Sequence, residues 1–252
     1  MGMRFFGASV LRKEDPALLT GKGRYVDDVK LPGMLHAAFV RSPYAHALIK
    51  GVDKSAALAL PGVVAVLTHA DLPEPMRSRR LPLYVPHPAI KQTFMPWPLA
   101  KDEVCFAGEA IAVVVAESRY IAEDAAALVE IDYEVLPASI DPREAIMEGA
   151  PLAQQGAANN IVTHTPVKIG DTDKAFAQAA HVFREQFALH RGGPFFMECR
   201  GVVADWDAHT EQLTVHASSQ GSHRFKRTFI DLLDLADNQV RVITNDVGGG
   251  FG

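Results

Sequence analysis

Between Ser118 and Pro137 the spacing of apolar residues switches from a helical to a strand period within about twenty residues. Ile121, Ala125, Leu128 and Val129 fall on one face of a helix, and the Ser118 hydroxyl is placed to cap its first turn. Glu130 to Val135 then alternates: Ile131, Tyr133 and Val135 are predicted to face inward, and Glu130, Asp132 and Glu134 to face water. Upstream, short apolar runs are punctuated by Gly, Pro and Asp. Met34 to Val40 and Ala47 to Val52 are predicted strands. Asp53 and Ser55 offer caps for a short helix through Leu60, Pro61-Gly62 ends it, and Val63 to Leu67 follows as a strand; together they predict a β-α-β unit. Ile111 to Val115 is a β-branched run, the pattern of a strand buried on both faces. Leu72 to Pro98 is proline-rich and aperiodic, a long loop that wraps or contacts something.

Beyond Pro137 the pattern breaks. Pro142, Gly149-Ala150-Pro151 and Gln154-Gln155-Gly156 predict a linker to about Asn160. In the region that follows, Asp171 to Ala180 and Ser222 to Leu235 predict helices, and His181–Leu189, Val202–Trp206, Leu213–Ala217 and Val240–Val247 predict strands. The chain therefore divides into an N-terminal arm (1–17), a mixed region (18–135), a linker (136–160) and a second mixed region (161–252), an α+β architecture.

Composition excludes more than it names. Hydrophobic residues at 48% and charged residues at 22% are ordinary for a globular chain. The longest apolar run, Ala110 to Ala116, is far too short to span a bilayer, and the N-terminus lacks the apolar stretch of a secretory signal, so a cytoplasmic location without membrane insertion is expected. A net charge of -5 with interleaved signs leaves no footprint for nucleic acid; Arg77-Ser78-Arg79-Arg80 lies among prolines and predicts a solvated loop. Two cysteines, Cys105 and Cys199, cannot build a disulfide framework or an all-cysteine metal site, and Cys105 predicts a buried small hydrophobe. His209, His216 and His223 recur every seven residues, but across a turn, a strand and a helix start, so no metal held directly by side chains is expected.

The candidate chemistry lies at the last residues, Val247-Gly248-Gly249-Gly250-Phe251-Gly252. Glycines after a strand let the backbone pass close to a ligand and aim successive N–H groups at it. On its own the run is equally a turn closing a strand. It is not the dinucleotide fingerprint, since no helix follows it. With no element predicted beyond the glycines to support them, the sequence reads as a piece of a cofactor-binding protein.

Further stretches stand out in order along the chain: Arg12-Lys13-Glu14-Asp15-Pro16 with Leu19 to Asp28, Arg41-Ser42-Pro43-Tyr44-Ala45-His46-Ala47, Pro61 to Val66, Pro98-Leu99-Ala100, Phe106-Ala107-Gly108-Glu109 with Val113 to Ala116, Met197-Glu198-Cys199-Arg200-Gly201, Ser218-Ser219-Gln220, and Asp246 to Gly252. Taken together this ordered set resembles the large, molybdopterin-binding subunit of the molybdenum hydroxylases, in the branch of carbon monoxide dehydrogenase, aldehyde oxidase and xanthine dehydrogenase. The resemblance implies an α/β-hammerhead domain over 18–135, followed over 161–252 by the opening part of a molybdenum-cofactor-binding domain. It implies that Gln220 donates a hydrogen bond towards an oxo ligand of the metal, a task suited to a neutral amide donor. It also implies that Gly249, Gly250, Phe251 and Gly252 shape a wall of the cofactor site. The metal would be held by the pterin dithiolene, with molybdopterin in its cytosine dinucleotide form.

The implied whole enzyme oxidises an aldehyde, an aromatic N-heterocycle or a carbon monoxide-like substrate with oxygen from water. Its implied partners are the remainder of the large subunit and the iron–sulfur and FAD subunits of a heterotrimer that dimerises. The family's glutamate general base and its substrate-selecting loop have no counterpart in this sequence, so the chain is expected to be incomplete as an enzyme by itself. Cys199 stands where the family most often has proline. Glu198 and Arg200 are expected to be structural, as an ion pair or backbone partners. Phe195, Phe196 and Trp206 are expected in the core rather than stacked on a substrate. The alternative from another class is a non-catalytic structural or interaction module with a folded hammerhead domain.

Overall fold

The computed structural model describes residues 6–83, 85–189 and 192–251. These divide into two compact units: residues 33–192, and the residues through Pro32 together with 193–252. Near the start, Pro16 opens α1 (Asp15–Leu19), at a position where its missing N–H costs a helix nothing.

The unit of residues 33–192 contains β1 (His36–Arg41), β2 (Ala47–Asp53), α2 (Ser55–Leu58), β3 (Val63–Thr68), β4 (Glu103–Val104), β5 (Ala110–Ala116), α3 (Arg119–Ala127), β6 (Glu130–Val135), α4 (Pro142–Ala145) and α5 (Thr172–Gln178). The strands form two antiparallel sheets, in the orders β1-β5-β3 and β4-β2-β6. One face of β5, formed by Ala112, Val114 and Ala116, is fully buried. Val114 there packs with Ala57, Val66, Ala125 and Val129. The methyl side chains of Ala122 and Ala125 let α3 sit close on β1 and β5. On the other face Ile111, 1% exposed, meets Ala47, Ala100 and Val104, while Val113 and Val115 are half-buried. Burial on both faces thus holds at Ile111 and weakens along the strand.

The strongest sequence pattern is realised with two departures. Ser118 Oγ accepts from the Ile121 N–H at 3.2 Å and caps α3. The helix ends at Ala127, so Leu128 leaves the inner face and is 41% exposed, and Ala122 takes an inner position instead. In β6, Ile131 and Tyr133 face inward, whereas Val135 is exposed, beyond the reach of both core clusters.

Two expectations fail for physical reasons. Residues 47–68 are not a β-α-β unit: β2 and β3 belong to different sheets. At four residues, α2 is too short for the crossover that parallel neighbours need, about a dozen residues or more. His181 to Leu189, predicted as a strand, pairs with no described residue, and an unpaired strand has no ladder to stabilise it. Phe183, Phe187 and Leu189 are 85%, 88% and 98% exposed.

The proline-rich loop is fastened to its own unit. His69, which follows β3, is 6% exposed and meets Trp97 edge-on at 5.1 Å between ring centroids. The Arg80 guanidinium lies 4.8 Å from the Trp97 ring centroid and the Lys101 ammonium 5.7 Å. Among the described residues, neither His69 ring nitrogen has a partner at hydrogen-bonding geometry. Burial holds its pKa below the ordinary 6.5; the nearby carbonyls of Leu99 and Arg77 and the charge of Asp102 oppose this without reversing it, and Lys101 reinforces it. The unfolded chain therefore takes up a proton that the folded unit refuses. Stability is expected to be intact above about pH 6.5 and to fall as the pH drops below it. Urea midpoints between about pH 7 and about pH 5 check this, and His69→Phe is expected to flatten the pH dependence.

The other unit contains β7 (Val202–Asp207), β8 (Gln212–Ala217), α6 (Ser222–Leu233) and β9 (Val240–Ile243) in a sheet of order β7-β8-β9. β7 and β8 are an antiparallel hairpin, whereas β8 and β9 run parallel. This is the chain's true β-α-β unit. Parallel neighbours require a crossover, and α6 supplies it by laying Phe229 and Leu233 on Leu213, Val215 and Ala217. The predicted last strand stops at Ile243, where its pairing with β8 ends.

Candidate functional site

Because β8 and β9 are parallel, their C-terminal ends finish side by side, and the segments that leave them meet. Open sheets of this kind bind ligands outside the carboxyl ends of their strands. Ser218-Ser219-Gln220 continues β8 and residues 244–251 continue β9. The Ser219 and Thr244 hydroxyls bond at 3.1 Å and tie the two together. The N-terminal positive end of α6 begins at Ser222, two residues after Gln220.

The glycine loop is held from behind. The Arg24 N–H donates to the Asp246 carboxylate at 2.7 Å, and the Asp246 N–H returns to the Arg24 carbonyl at 3.1 Å. The Gly248 N–H donates to Glu198 Oε2 at 2.7 Å. A Cβ on Gly248 would run into Glu198 Cβ, so glycine is needed there. Gly249 adopts φ +134°, and its Cβ would lie 2.5 Å from Phe196 Cβ. The rings of Phe196 and Phe251 stack at 6.4 Å.

A Cβ on Gly250 would sit 3.1 Å from Gln220 Cγ, so the predicted glutamine and the predicted loop are in contact. Gln220 and Phe251 are exposed, and the Gln220 amide donates to no described residue. The same is true of the backbone N–H groups of Gly249, Gly250 and Phe251. The Gln220 amide and these three main-chain N–H groups thus stay unspent, among the described residues, beside a backbone that carries no Cβ at Gly249 and Gly250. This arrangement fits an oxygen-rich, electron-rich group approaching the main chain. Gly252 lies outside the described residues. Among the described residues, no group of three or more His, Cys, Asp or Glu is placed to hold a metal ion.

Some other candidates fall elsewhere. Phe195 and Trp206 are 96% and 48% exposed and so are not core residues; Phe196 is 36% exposed and packs on the loop. Glu198 is a backbone partner, as expected, but its partners include the glycine loop itself. Asp246 was legible only as part of the glycine motif, and its bond to Arg24 spans 222 residues. Cys105 is half-buried, and burial, aided by Glu103 and Glu109, pushes its thiol up to about 12, which makes it inert. Cys199 is exposed.

Residues 20–137 match the family model of the aldehyde oxidase and xanthine dehydrogenase a/b hammerhead domain, and residues 153–252 match that of the molybdopterin cofactor-binding domain. The chain belongs to the molybdenum hydroxylase family. The architecture is that of a hammerhead domain with the start of a molybdenum-cofactor-binding domain. The chain is 41% identical to the carbon monoxide dehydrogenase large chain of Afipia carboxidovorans, over 98% of its own length and 31% of the relative's. It is 40% identical to the nicotine 6-hydroxylase large subunit of Paenarthrobacter nicotinovorans, over 98% of its length and 30% of that subunit's. Among solved structures, quinoline 2-oxidoreductase from Pseudomonas putida superposes with a TM-score of 0.88 at 40% identity, covering 98% of this chain and 31% of the other. This molybdenum hydroxylase chain thus spans about a third of the length of the relatives it matches. Among the described residues, no helix is long and apolar enough to cross a membrane.

Proposed function

We propose that this chain contributes one wall of a molybdenum–pterin site in a cytoplasmic hydroxylase. The observation that carries the reading is the contact of Gln220 with Gly250 beyond the ends of two parallel strands, where neither the Gln220 amide nor the N–H groups of Gly249, Gly250 and Phe251 donate to any described residue. When bound, the molybdenum–pterin group supplies two-electron redox chemistry and transfer of water-derived oxygen. The chain's own part is electrostatic. Gln220 holds a neutral donor that cannot be stripped of its proton, and the glycine loop offers main-chain donors without a Cβ in front of them. The cofactor is the cytosine dinucleotide form.

The whole assembly oxidises an aldehyde, an aromatic N-heterocycle or a carbon monoxide-like substrate; relatives are named for carbon monoxide, nicotine and quinoline. Its partners are polypeptide corresponding to the rest of the large subunit, plus iron–sulfur and FAD subunits in a dimerised heterotrimer. Multi-subunit organisation is supported by relatives named as large chains, and by one named as subunit gamma of a dehydrogenase complex. Within the chain, residues 18–135 serve as the hammerhead domain, 136–160 as linker and 161–252 as the opening of the cofactor domain.

The test is metal and pterin analysis of the chain co-expressed with polypeptide corresponding to the remainder of the relatives. Stoichiometric molybdenum is expected. In that assembly Gln220→Ala is expected to lower turnover by about a hundred- to a thousandfold, the cost of removing one preorganised donor, with an unchanged circular dichroism spectrum. An assembled protein free of molybdenum and pterin would instead support a structural module.

A further inference from the structure

The glycine loop and the Gln220 segment are separate in sequence, yet one carboxylate touches the base of both. Glu198 Oε2 accepts from the Gly248 N–H at 2.7 Å and from the Ser218 hydroxyl at 3.0 Å. Its Oε1 accepts from the Val26 N–H at 3.2 Å. The main chains also touch, the Glu198 N–H pointing to the Gly248 carbonyl at 3.5 Å. Ser218 lies two residues before Gln220, and Gly248 directly precedes the run of free N–H groups. We infer that Glu198 is the positioning residue of the site: it sets the distance between the Gln220 amide and the donors of Gly249, Gly250 and Phe251. This inference rests on the proposed cofactor reading for its purpose, but not for its geometry.

A carboxylate suits the task because all three contacts come from donors and an ionised carboxyl is acceptor-only. Charge-assisted bonds are also the stronger kind, so the loop is held where its own sequence would leave it free. The two oxygens divide the work. One serves the N-terminal segment, and the other serves the loop and the end of β8 together. Glutamine has the same shape but a single acceptor. In its favoured orientation it keeps the two bonds of Oε2 and presents its NH₂ to the Val26 N–H, donor against donor. Alanine loses all three. The two substitutions therefore predict different patterns, which a role in bulk packing does not.

The experiment is residue-resolved amide exchange on the metal-free, full-length chain, compared among wild type, Glu198→Ala and Glu198→Gln. In Glu198→Ala the Gly248 amide is expected to exchange about ten- to a hundredfold faster, the equivalent of one hydrogen bond to a charged group. The Gln220 side-chain NH₂ resonances are expected to shift, while the amides of Val215 and Ala217 in β8 stay protected. In Glu198→Gln, Gly248 is expected to stay protected and only Val26 to be released. Unchanged exchange at Gly248 in the alanine variant would overturn the proposal. So would uniform acceleration through β8 and β9, or a glutamine variant in which Gly248 and Val26 respond alike. Molybdenum content of the co-expressed wild-type assembly is read separately. If it is nil the cofactor reading falls, while the exchange pattern still decides what Glu198 does.

Discussion

Alanine at Gly249 is expected to destabilise the unit of the glycine loop by about 2–5 kcal/mol, whereas alanine at the next position, Gly250, costs it under about 1 kcal/mol. The two glycines adjoin but meet different obstacles. Gly249 has φ +134°, a conformation closed to residues with a Cβ, and its added methyl would lie 2.5 Å from Phe196 Cβ and 3.3 Å from Phe196 Cα. Those atoms belong to or adjoin the main chain and cannot swing aside, so the loop itself must move. A methyl on Gly250 meets Gln220 Cγ at 3.1 Å and Cδ at 3.3 Å, the body of an exposed, flexible side chain that gives way. Gly250→Ala should therefore spare the fold and disturb the site, turning the Gln220 amide from its place. Urea unfolding followed by Trp206 fluorescence in a Trp97→Phe background measures the first effect. Nuclear magnetic resonance of the Gln220 side chain measures the second. Equal midpoints for the two variants would contradict the backbone argument.

The second large effect is expected in the hammerhead sheets. Ile111→Ala should cost about 2–5 kcal/mol, the range for emptying a buried aliphatic site that cannot collapse. Its fully buried neighbours Ala47, Ala100 and Val104 are too small to fill the space, and the larger Ile49, Ile131 and Tyr133 packed against them are held in place by β2 and β6. Phe39 on neighbouring β1 is larger but 49% exposed, and Phe39→Ala should cost less despite removing more atoms. Urea midpoints of the two variants, read through Trp97 in a Trp206→Phe background, rank them. A larger loss at Phe39 would show that the cluster around Ile111 is misassigned.

Much of this was legible without coordinates, and the failures share a cause. The cap at Ser118, the helix after it, the strands at 202–207 and 212–217 and the helix at 222–233 are local consequences of capping chemistry and period. Misreadings arose where an element depended on something distant. His181 to Leu189 has the apolar and aromatic content of a strand, but content does not provide a partner. Residues 47–68 have the order strand, helix, strand, but the order does not say which sheet each strand joins. At the site, Gln220 and the glycines were readable as a motif, whereas the hold of Arg24 on Asp246 and of Val26 on Glu198 was not, since these pairs lie 222 and 172 residues apart.

The sequence by itself determined the chemical inventory: a neutral amide, a run of backbone donors without side chains, and no set of metal-ligating side chains at recognisable spacing. These follow from residue identity alone. Only the tertiary structure decided that the amide and the donors share one place. That placement comes from the parallel pairing of β8 with β9, which brings two strand ends together, and from the Glu198 carboxylate that locks the segments beyond them. Pairing and reach across the chain depend on long-range closure, and no local pattern encodes that closure.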